Sequence, residues 1–154
     1  MKIESIVNDC LLEHTGGSQF FDAIDEKLRN DSSLMNIIIN KVLDNEDFDY
    51  IIVSGKFGYA LKDFCINNYL YNKIITLNGS LRTQNIEKVL NIDIKDKKIV
   101  FIDDSFYLGR TRDKVKEFVE KNRATLISTY VFYDGSKNKD INVHSMYRYY
   151  DHFK

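Results

Sequence analysis

The chain has no proline and no tryptophan, and it contains only two cysteines and seven glycines in 154 residues. Without proline, the ends of helices have to rely on Gly, Asn, Asp and Ser. The two cysteines, Cys10 and Cys65, are too few for a disulfide scaffold. Because both fall within amphipathic helical patterns, we expect buried free thiols in a reducing cytosol, and hence a cytoplasmic protein.

An excess of one charge and a long apolar run are also missing. The formal net charge is −1, which predicts no broad nucleic-acid or membrane-binding surface, so any anion site has to be local. The longest apolar run is far shorter than a membrane span, and residues 1–13 contain acids and lack a signal-peptide core. What the chain does have is 44% hydrophobic and 29% charged residues, a composition typical of one globular domain.

The most informative segment is residues 97–111, which read K-K-I-V-F-I-D-D-S-F-Y-L-G-R-T. Residues 99–102 are β-branched or aromatic, and a continuous apolar run of this kind predicts a strand that is buried on both faces. Asp103 and Asp104 then fall at the carboxyl end of that strand. Ligands bind at this edge of open α/β sheets, so the two carboxylates are candidate site residues.

The end of the same segment predicts an anion site. Gly109 allows a positive φ or a close approach to a ligand, and Thr111 is placed to cap a helix over residues 112–121. The free N–H groups at the start of such a helix attract an anion such as phosphate. Carboxylate acceptors for hydroxyl groups and donors for a phosphate together indicate a sugar phosphate. The alternative is an acidic strand end with a capping threonine and no ligand.

This segment resembles the phosphoribosyl pyrophosphate (PRPP) motif of type I phosphoribosyltransferases, in which two acidic residues follow a short apolar strand and a spacer leads to Gly and Thr. The spelling Y-L-G-R-T is similar to the Y-T-G-R-T of pyrimidine-regulatory members. The resemblance implies that Asp103 and Asp104 hold the ribose hydroxyls. It also implies that the next seven residues wrap the 5′-phosphate: Ser105, Phe106, Tyr107, Leu108, Gly109, Arg110 and Thr111.

Two positions depart from the family pattern. Leu108 stands where the family usually has Thr or Ser, so one hydroxyl donor to the phosphate is missing, and such a bond is worth about 1.5–3 kcal/mol. Tyr107 stands where some purine-specific members carry an Asp that contacts the base. The first departure predicts weaker binding, and the second favours a pyrimidine-like base.

A second segment, residues 49–61, reads D-Y-I-I-V-S-G-K-F-G-Y-A-L and predicts a strand over residues 50–53. Ser54, Gly55 and Lys56 then break the strand, and a helix is expected from Gly58 onward. The family has its pyrophosphate loop here, often with a strained non-proline cis peptide. By resemblance, Lys56 faces the leaving diphosphate and the N–H groups of Gly55 and Lys56 line it. The alternative is an ordinary strand-to-helix turn.

A third segment, residues 14–22, reads H-T-G-G-S-Q-F-F-D. It is similar to a stretch near the N-terminus of orotate phosphoribosyltransferases that belongs to the hood over the base, with Gly16, Gly17, Ser18 and Phe20 in the matching positions. The alternative is a turn followed by aromatic core residues.

The remaining pattern predicts the fold. A helix is expected over residues 34–43, capped by Asp31, Ser32 and Ser33, with Ile37, Ile38 and Val42 facing inward. Strands are expected over residues 73–77 and 125–133. The resulting alternation predicts an α/β fold with a mainly parallel sheet and helices on both faces. The resemblance implies a single phosphoribosyltransferase-like domain over residues 1–154. Its expected parts are N-terminal helices with a small hood (1–47), a core (48–133) and a C-terminal element (134–154). The C-terminal element is expected to be a strand, a helix or part of a dimer contact.

The interval 77–97 corresponds to the mobile loop that closes over the site in active family members. Arg82 and Lys88 are candidates for the basic residue that such a loop supplies to the diphosphate. Residues 84–90 also read as one or two helical turns, which would leave a short lid.

Three functional classes remain open at this point. The first is PRPP-dependent transfer of phosphoribose to a pyrimidine-like base with Mg²⁺, in a homodimer, with Asp103, Asp104 and Lys56 as catalytic residues and the two carboxylates near the metal. The second is a regulatory protein that binds PRPP or a nucleoside 5′-monophosphate with little or no turnover. The third is an unrelated α/β domain whose carboxylate pair binds Mg²⁺ for phosphate chemistry. His14, His144 and His152 show no metal or triad spacing.

Overall fold

The computed structural model describes residues 2–13, 18–77 and 92–152. Its helices are α1 (Lys2–Glu13), α2 (Ser18–Arg29), α3 (Ser32–Asn45), α4 (Gly55–Phe64), α5 (Arg110–Lys121) and the short α6 (Tyr149–His152). Its strands are β1 (Tyr50–Ser54), β2 (Ile74–Leu77), β3 (Lys98–Phe106), β4 (Thr125–Asp134) and β5 (Val143–Arg148). A 3-10 helix, Tyr69–Lys73, precedes β2. No helix in this described part of the chain has the length and apolar character that crossing a membrane requires.

The five strands form one sheet in the order β2-β1-β3-β4-β5, and every pair of neighbours is parallel. The predicted α/β class with a parallel sheet is therefore confirmed. Parallel neighbours need crossover connections, and α4 and α5 supply two of them. The chain moves outward from β1 to β2, returns to β3 on the other side of β1, and then continues to β4 and β5.

The central strands bury side chains on both faces, as the apolar runs predicted. In β3, Val100 and Ile102 point into a core that is shared with α1, α2, α3 and α4. Ile99 and Phe101 point into the opposite core, where α5 contributes Val115, Phe118 and Val119. Helices thus cover both faces of the sheet.

Helix α3 corrects one prediction from periodicity. Its buried residues are Leu34, Met35, Ile38, Ile39 and Val42, whereas Ile37 is 42% exposed. Three consecutive isoleucines cannot be assigned to faces by residue type, and the helix places the first of them toward solvent. The capping prediction is confirmed, since the Asp31 carboxylate accepts from the Leu34 N–H at 3.1 Å.

The C-terminal stretch contains both of the elements that were considered for it, a strand (β5) and then a short helix (α6). Of the predicted hood, residues 14–17 lie outside the described part of the chain. Phe20 is 3% exposed and lies in the core, as the alternative interpretation predicted. Cys10 and Cys65 are buried and form no disulfide, as expected.

Candidate active site

The acidic pair lies where the sheet changes its direction of winding. Strand β3 pairs with β1 only as far as Ile102, opposite Val53, but it pairs with β4 as far as Phe106, opposite Asp134. Asp103 and Asp104 therefore lie beyond the last β1 partner, within β3 rather than just after it. Because the strand order reverses between β1 and β3, this is the crevice where open α/β sheets bind ligands.

The two carboxyl groups are constrained by the backbone and by burial. The Asp104 N–H donates to Asp103 Oδ1 at 2.9 Å, and the Ser105 N–H donates to Asp104 Oδ1 at 2.8 Å. Burial raises the pKa of Asp103 well above its ordinary range, and the adjacent Asp104 adds to the increase. Burial, together with the nearby Asp25 carboxylate, raises the pKa of Asp104 to about 6. Both carboxylates are thus in an environment that favours hydroxyl donors or positive charge as ligands.

The first helix N-terminus at this crevice is that of α4. The helix begins at Gly55, directly after β1, so the prediction of a start at Gly58 is wrong. Gly55 has φ +66°, a conformation that glycine adopts without strain. Lys56 is exposed in the first turn, and the peptide bonds of the described residues are all trans. The predicted loop of Ser54, Gly55 and Lys56 is therefore the junction of a strand and a helix start.

The second helix N-terminus is that of α5, which begins at Arg110, two residues before the predicted start. Its N-cap is Gly109, with φ +76° and no side chain to donate or accept a hydrogen bond. The prediction that Thr111 caps this helix is therefore wrong, because Thr111 lies inside the first turn. Without a capping side chain, the first N–H groups of α5 remain available to an anion.

The connection from β3 to α5 alternates between buried and exposed residues. Phe106 is 9% exposed and packs on Val131 and Val143, while Tyr107 and Leu108 are 51% and 64% exposed. A Cβ atom on Gly109 would lie 3.2 Å from the Phe106 ring. The glycine is thus required both by its positive φ and by this close approach.

The cations at the site differ in their ion pairing and in their exposure to solvent. Arg112 forms ion pairs with Asp113 and Asp140, both at 2.9 Å, and these partners raise the pKa of its guanidinium despite the opposing effect of burial. Lys56 and Arg110 are exposed. Arg82, the predicted lid residue, lies outside the described residues, as do Lys88 and the helix expected over residues 84–90.

A cavity of about 460 Å³ brings the predicted residues together. Apart from Arg82, every predicted site residue lines it: Ser54, Gly55, Lys56, Asp103, Asp104, Ser105, Phe106, Tyr107, Leu108, Gly109, Arg110 and Thr111. Residues that are some fifty positions apart in sequence are thus assembled around one crevice. The cavity combines two helix N-termini, two exposed cations and two carboxylates, which is a set of groups that can bind a phosphorylated sugar at both ends.

Helix α2 supplies three lining residues that were not among the predicted site residues: Phe21, Asp22 and Asp25. Asp25 accepts from Arg29 Nε at 2.9 Å through Oδ2, while its Oδ1 is buried and has no hydrogen-bond partner among the described residues. Asp25 is 78 positions from Asp103, and only the packing of α2 on the sheet brings the two together. The sole signal in the sequence was the Phe-Phe-Asp stretch, which pointed to the correct helix but not to this residue.

The carboxylate pair has the ligand chemistry that Mg²⁺ prefers, which is oxygen. The described residues contain no group of three or more His, Cys, Asp or Glu side chains placed to hold a metal ion. Mg²⁺ commonly uses one or two carboxylates together with substrate phosphates and water, so the donors present fit a metal that arrives with a phosphorylated ligand rather than a resident one.

Comparison with solved structures identifies this architecture. This chain superimposes on Leishmania donovani UMP synthase with a TM-score of 0.58 and 18% sequence identity. The match covers 80% of this chain and 27% of the UMP synthase chain. Orotate phosphoribosyltransferase from Francisella tularensis gives a TM-score of 0.57 at 14% identity, covering 88% of this chain and 69% of that one. Adenine phosphoribosyltransferase from Thermoanaerobacter pseudethanolicus gives a TM-score of 0.57 at 12% identity, and the match covers 79% of this chain and 84% of that one.

The chain therefore has the fold of the type I phosphoribosyltransferases, and the resemblance found in the sequence is confirmed at the level of the fold. It spans about a quarter of the UMP synthase chain. No protein-family model matches the chain, and no curated protein is similar to it in sequence. These neighbours are named for both pyrimidine and purine enzymes, so the fold does not select the base.

Proposed function

We propose that the protein binds PRPP and transfers its phosphoribosyl group to a nitrogenous base of the pyrimidine type. The observation that carries the proposal is one cavity in which the acidic pair of β3 lies beside the N-termini of α4 and α5. A phosphate needs N–H donors and positive charge, whereas ribose hydroxyls need acceptors. PRPP carries both kinds of group, with a phosphate at each end of the sugar.

The proposed reaction breaks the bond between ribose C1 and the diphosphate oxygen, and the electron pair leaves with the diphosphate. A ring nitrogen of the base then bonds to C1 and loses its proton. Lys56 and the N–H groups of the α4 start contact the departing diphosphate, whose growing negative charge they stabilise. Asp103 and Asp104 hold the ribose hydroxyls and offer negative charge near the oxocarbenium-like sugar.

The 5′-phosphate is assigned to residues 105–111, where the start of α5 anchors the far end of the sugar and supplies binding energy for its positioning. Mg²⁺ bound with the substrate would neutralise diphosphate charge, and Asp103 and Asp104 are the residues that would hold it, directly or through water. We further propose that residues 1–154 act as one phosphoribosyltransferase-like domain in a homodimer.

The alternative function is regulatory: PRPP or a nucleoside 5′-monophosphate binds without turnover. Leu108 favours this alternative, because its exposed apolar side chain stands where a hydroxyl would donate to the phosphate. The loss of one donor lowers affinity but leaves the other contacts of the loop in place.

Binding is tested by thermal denaturation and calorimetry with PRPP and Mg²⁺. A ligand that binds only the folded protein raises the melting temperature, by an amount equivalent to about 2.7 kcal/mol at one hundred times its Kd. Asp103→Asn with Asp104→Asn is expected to keep the fold and abolish the shift. The matched control, Asp47→Asn with Asp63→Asn, removes two exposed carboxylates that do not line the cavity. Its melting temperature should rise with PRPP as that of wild type does. No shift with PRPP or with a nucleoside monophosphate would refute the proposal.

Turnover is tested by base-dependent release of diphosphate, with uracil and orotate compared with purines. Lys56→Ala should lower the rate by about 10²–10³-fold, since it removes a cation that stabilises the leaving group. Lys62→Ala, on the same helix but outside the cavity, is the control. If PRPP binds but no base raises diphosphate release above the Lys56→Ala background, the regulatory function replaces the enzymatic one.

A further inference from the structure

Helix α2 forms a third wall of the cavity, separate from the two helix N-termini. Phe21, Asp22 and Asp25 share one side of the helix, with the spacing i, i+1, i+4, and all three line the cavity. Neither the PRPP motif nor the diphosphate loop includes them. This wall adds two carboxylates and an aromatic ring to a cavity whose phosphate-binding groups lie elsewhere.

Asp25 is the best-defined part of this wall. Its side chain is 19% exposed, and Arg29 fixes its orientation through the 2.9 Å bond to Oδ2. Oδ1 is buried and accepts no hydrogen bond from an N–H or hydroxyl group among the described residues. The Asp25 carboxylate lies beside the acidic pair and helps to raise the pKa of both Asp103 and Asp104. A fixed, buried acceptor beside the sugar-binding carboxylates is suited to a ligand N–H group.

Phe21 provides the apolar part of the wall. Its ring is half-buried, and its centroid lies 6.0 Å from that of Tyr107 and 6.3 Å from that of Tyr133. Tyr107 is half-exposed in the loop that leads to α5. Aromatic surfaces in a cavity suit the face or edge of a planar heterocycle.

The charges on this side of the cavity restrict the base further. Asp22 and Asp25 of α2 stand with the acidic pair of β3, whereas the exposed cations Lys56 and Arg110 belong to the helix starts assigned to phosphate. A base that carries its own carboxylate would be repelled by the α2 carboxylates, because like charges that share a partly buried cavity are only partly screened by water.

We propose that α2 selects the acceptor, with Phe21 contacting a planar base and Asp25, assisted by Asp22, accepting its N–H groups and rejecting a base that bears a carboxylate. The substrate class is then an uncharged pyrimidine with N–H donors, such as uracil or cytosine, and not orotate. This inference rests on the proposed function and narrows it.

Calorimetry with the two product nucleotides UMP and orotidine 5′-monophosphate tests this, since these ligands differ only by the carboxylate on the base. Wild type should bind UMP at least about tenfold more tightly. Asp25→Asn keeps an acceptor for Arg29 but loses the negative charge. It should lower the ratio of UMP affinity to orotidine 5′-monophosphate affinity about fivefold or more. Glu26→Gln, an exposed neighbour on the same helix, is the control and should leave the ratio unchanged.

Two further measurements do not depend on how well Asp25→Asn folds. Asp22→Asn, at an exposed position, should reduce the same ratio to a smaller extent, and added salt should reduce it in wild type because screening weakens the repulsion. Two results would overturn the assignment of α2 while the proposed function stands. One is equal affinity of wild type for UMP and orotidine 5′-monophosphate. The other is an Asp25→Asn variant whose ratio of these affinities is no lower than that of Glu26→Gln. If PRPP and both nucleotides fail to bind, the proposed function itself fails.

Discussion

At the scale of single residues, the acidic pair combines two properties that oppose each other in a stable protein. Asp103 and Asp104 are adjacent at the half-buried end of β3, where burial disfavours their charged forms. The neighbouring Asp104 adds to this effect at Asp103, and Asp25 adds to it at Asp104. A strand could hold an apolar residue at either position without this cost. The retention of two carboxylates at a destabilising position is the pattern expected of a site in which a ligand, and not the core, requires them.

The raised pKa of Asp104 makes a prediction about stability and pH. Burial raises the pKa of Asp104 in the folded state to about 6 from its ordinary value of 3.8, so the folded state binds the proton more tightly than the unfolded state does. Its contribution therefore destabilises the fold progressively as pH rises from about 4 to about 6. Asp104→Asn removes this contribution and should raise the free energy of unfolding at pH 7 by about 1–3 kcal/mol.

Urea denaturation at pH 4 and at pH 7 measures this effect. The difference between Asp104→Asn and wild type should be much smaller at pH 4, where the wild-type side chain is protonated in the folded state and only partly ionised in the unfolded state. Asp63→Asn serves as an exposed control on α4. A variant that is less stable than wild type at pH 7 would contradict the direction assigned to the pKa of Asp104.

At the scale of elements, the sequence predicted the strands well because their signal is local. Residues 50–53, 99–102 and 125–133 are continuous β-branched and aromatic runs, and each one became a strand. The strands extend beyond the predicted ranges by no more than four residues at the carboxyl end and one at the amino end. The apolar run also predicted burial on both faces, which the alternating sides of Ile99, Val100, Phe101 and Ile102 confirm.

Helix starts were predicted less well, because a glycine after a strand is compatible both with a longer loop and with an immediate helix start. At Gly55 and Gly109 a positive φ turns the chain directly into a helix, whereas the sequence pattern indicated a longer loop at both places. Asp25 could not be predicted at all, since its role depends on the packing of α2 against β3. Ile37 failed for a similar reason, because the side of α3 that faces the sheet is set by tertiary packing.

The packing of α4 on β1 supplies the element-scale prediction. A Cβ atom on Gly58 would lie 3.0 Å from the backbone carbonyl carbon of Val53 and from the Cβ and Cγ2 atoms of its side chain. A neighbouring strand cannot move as a flexible side chain does, so Gly58→Ala should push α4 away from β1. We expect a loss of about 1–3 kcal/mol in the free energy of unfolding.

The same displacement should weaken PRPP binding, because Lys56 lies in the first turn of α4, two residues before Gly58. Chemical denaturation and calorimetry on the same samples would show both losses. Asp63→Ala, which also places alanine in α4 but at an exposed position, is the control. A Gly58→Ala protein with wild-type stability would contradict the close packing of this helix on β1.

At the scale of the whole molecule, residues 135–142 connect the far edge of the sheet to the cavity. The Arg148 Nη2 of β5 donates to the carbonyl oxygens of Ser136 and Lys137 at 2.9 and 3.1 Å. Toward the other end of the connection, Asp140 pairs with Arg112, a cavity residue on α5. Through these contacts β5, β4 and α5 hold one another in place, although only α5 among them carries the turn that we propose to bind the 5′-phosphate.

The centre of this connection is a nearly buried ion pair. Asp134 is 2% exposed and its Oδ1 accepts from the N–H and hydroxyl groups of Ser136 at 2.8 and 2.6 Å, while its Oδ2 lies 3.7 Å from Arg148 Nε. Arg148→Met would leave the Asp134 carboxylate without its cation and free two carbonyl oxygens. Breaking one partner of a buried pair costs about 3–5 kcal/mol, so a loss of that size in the free energy of unfolding is expected.

Because the connection continues to Arg112, Arg148→Met should also lower PRPP affinity, although Arg148 does not line the cavity. Adding Asp134→Asn to Arg148→Met should recover part of the stability, since the uncompensated charge is then gone, and a double-mutant cycle gives the coupling between the two residues. Lys121→Met removes an exposed cation from α5 and is the control. If Arg148→Met loses stability but binds PRPP as wild type does, then the edge strand and the cavity are connected in the fold without being coupled in function.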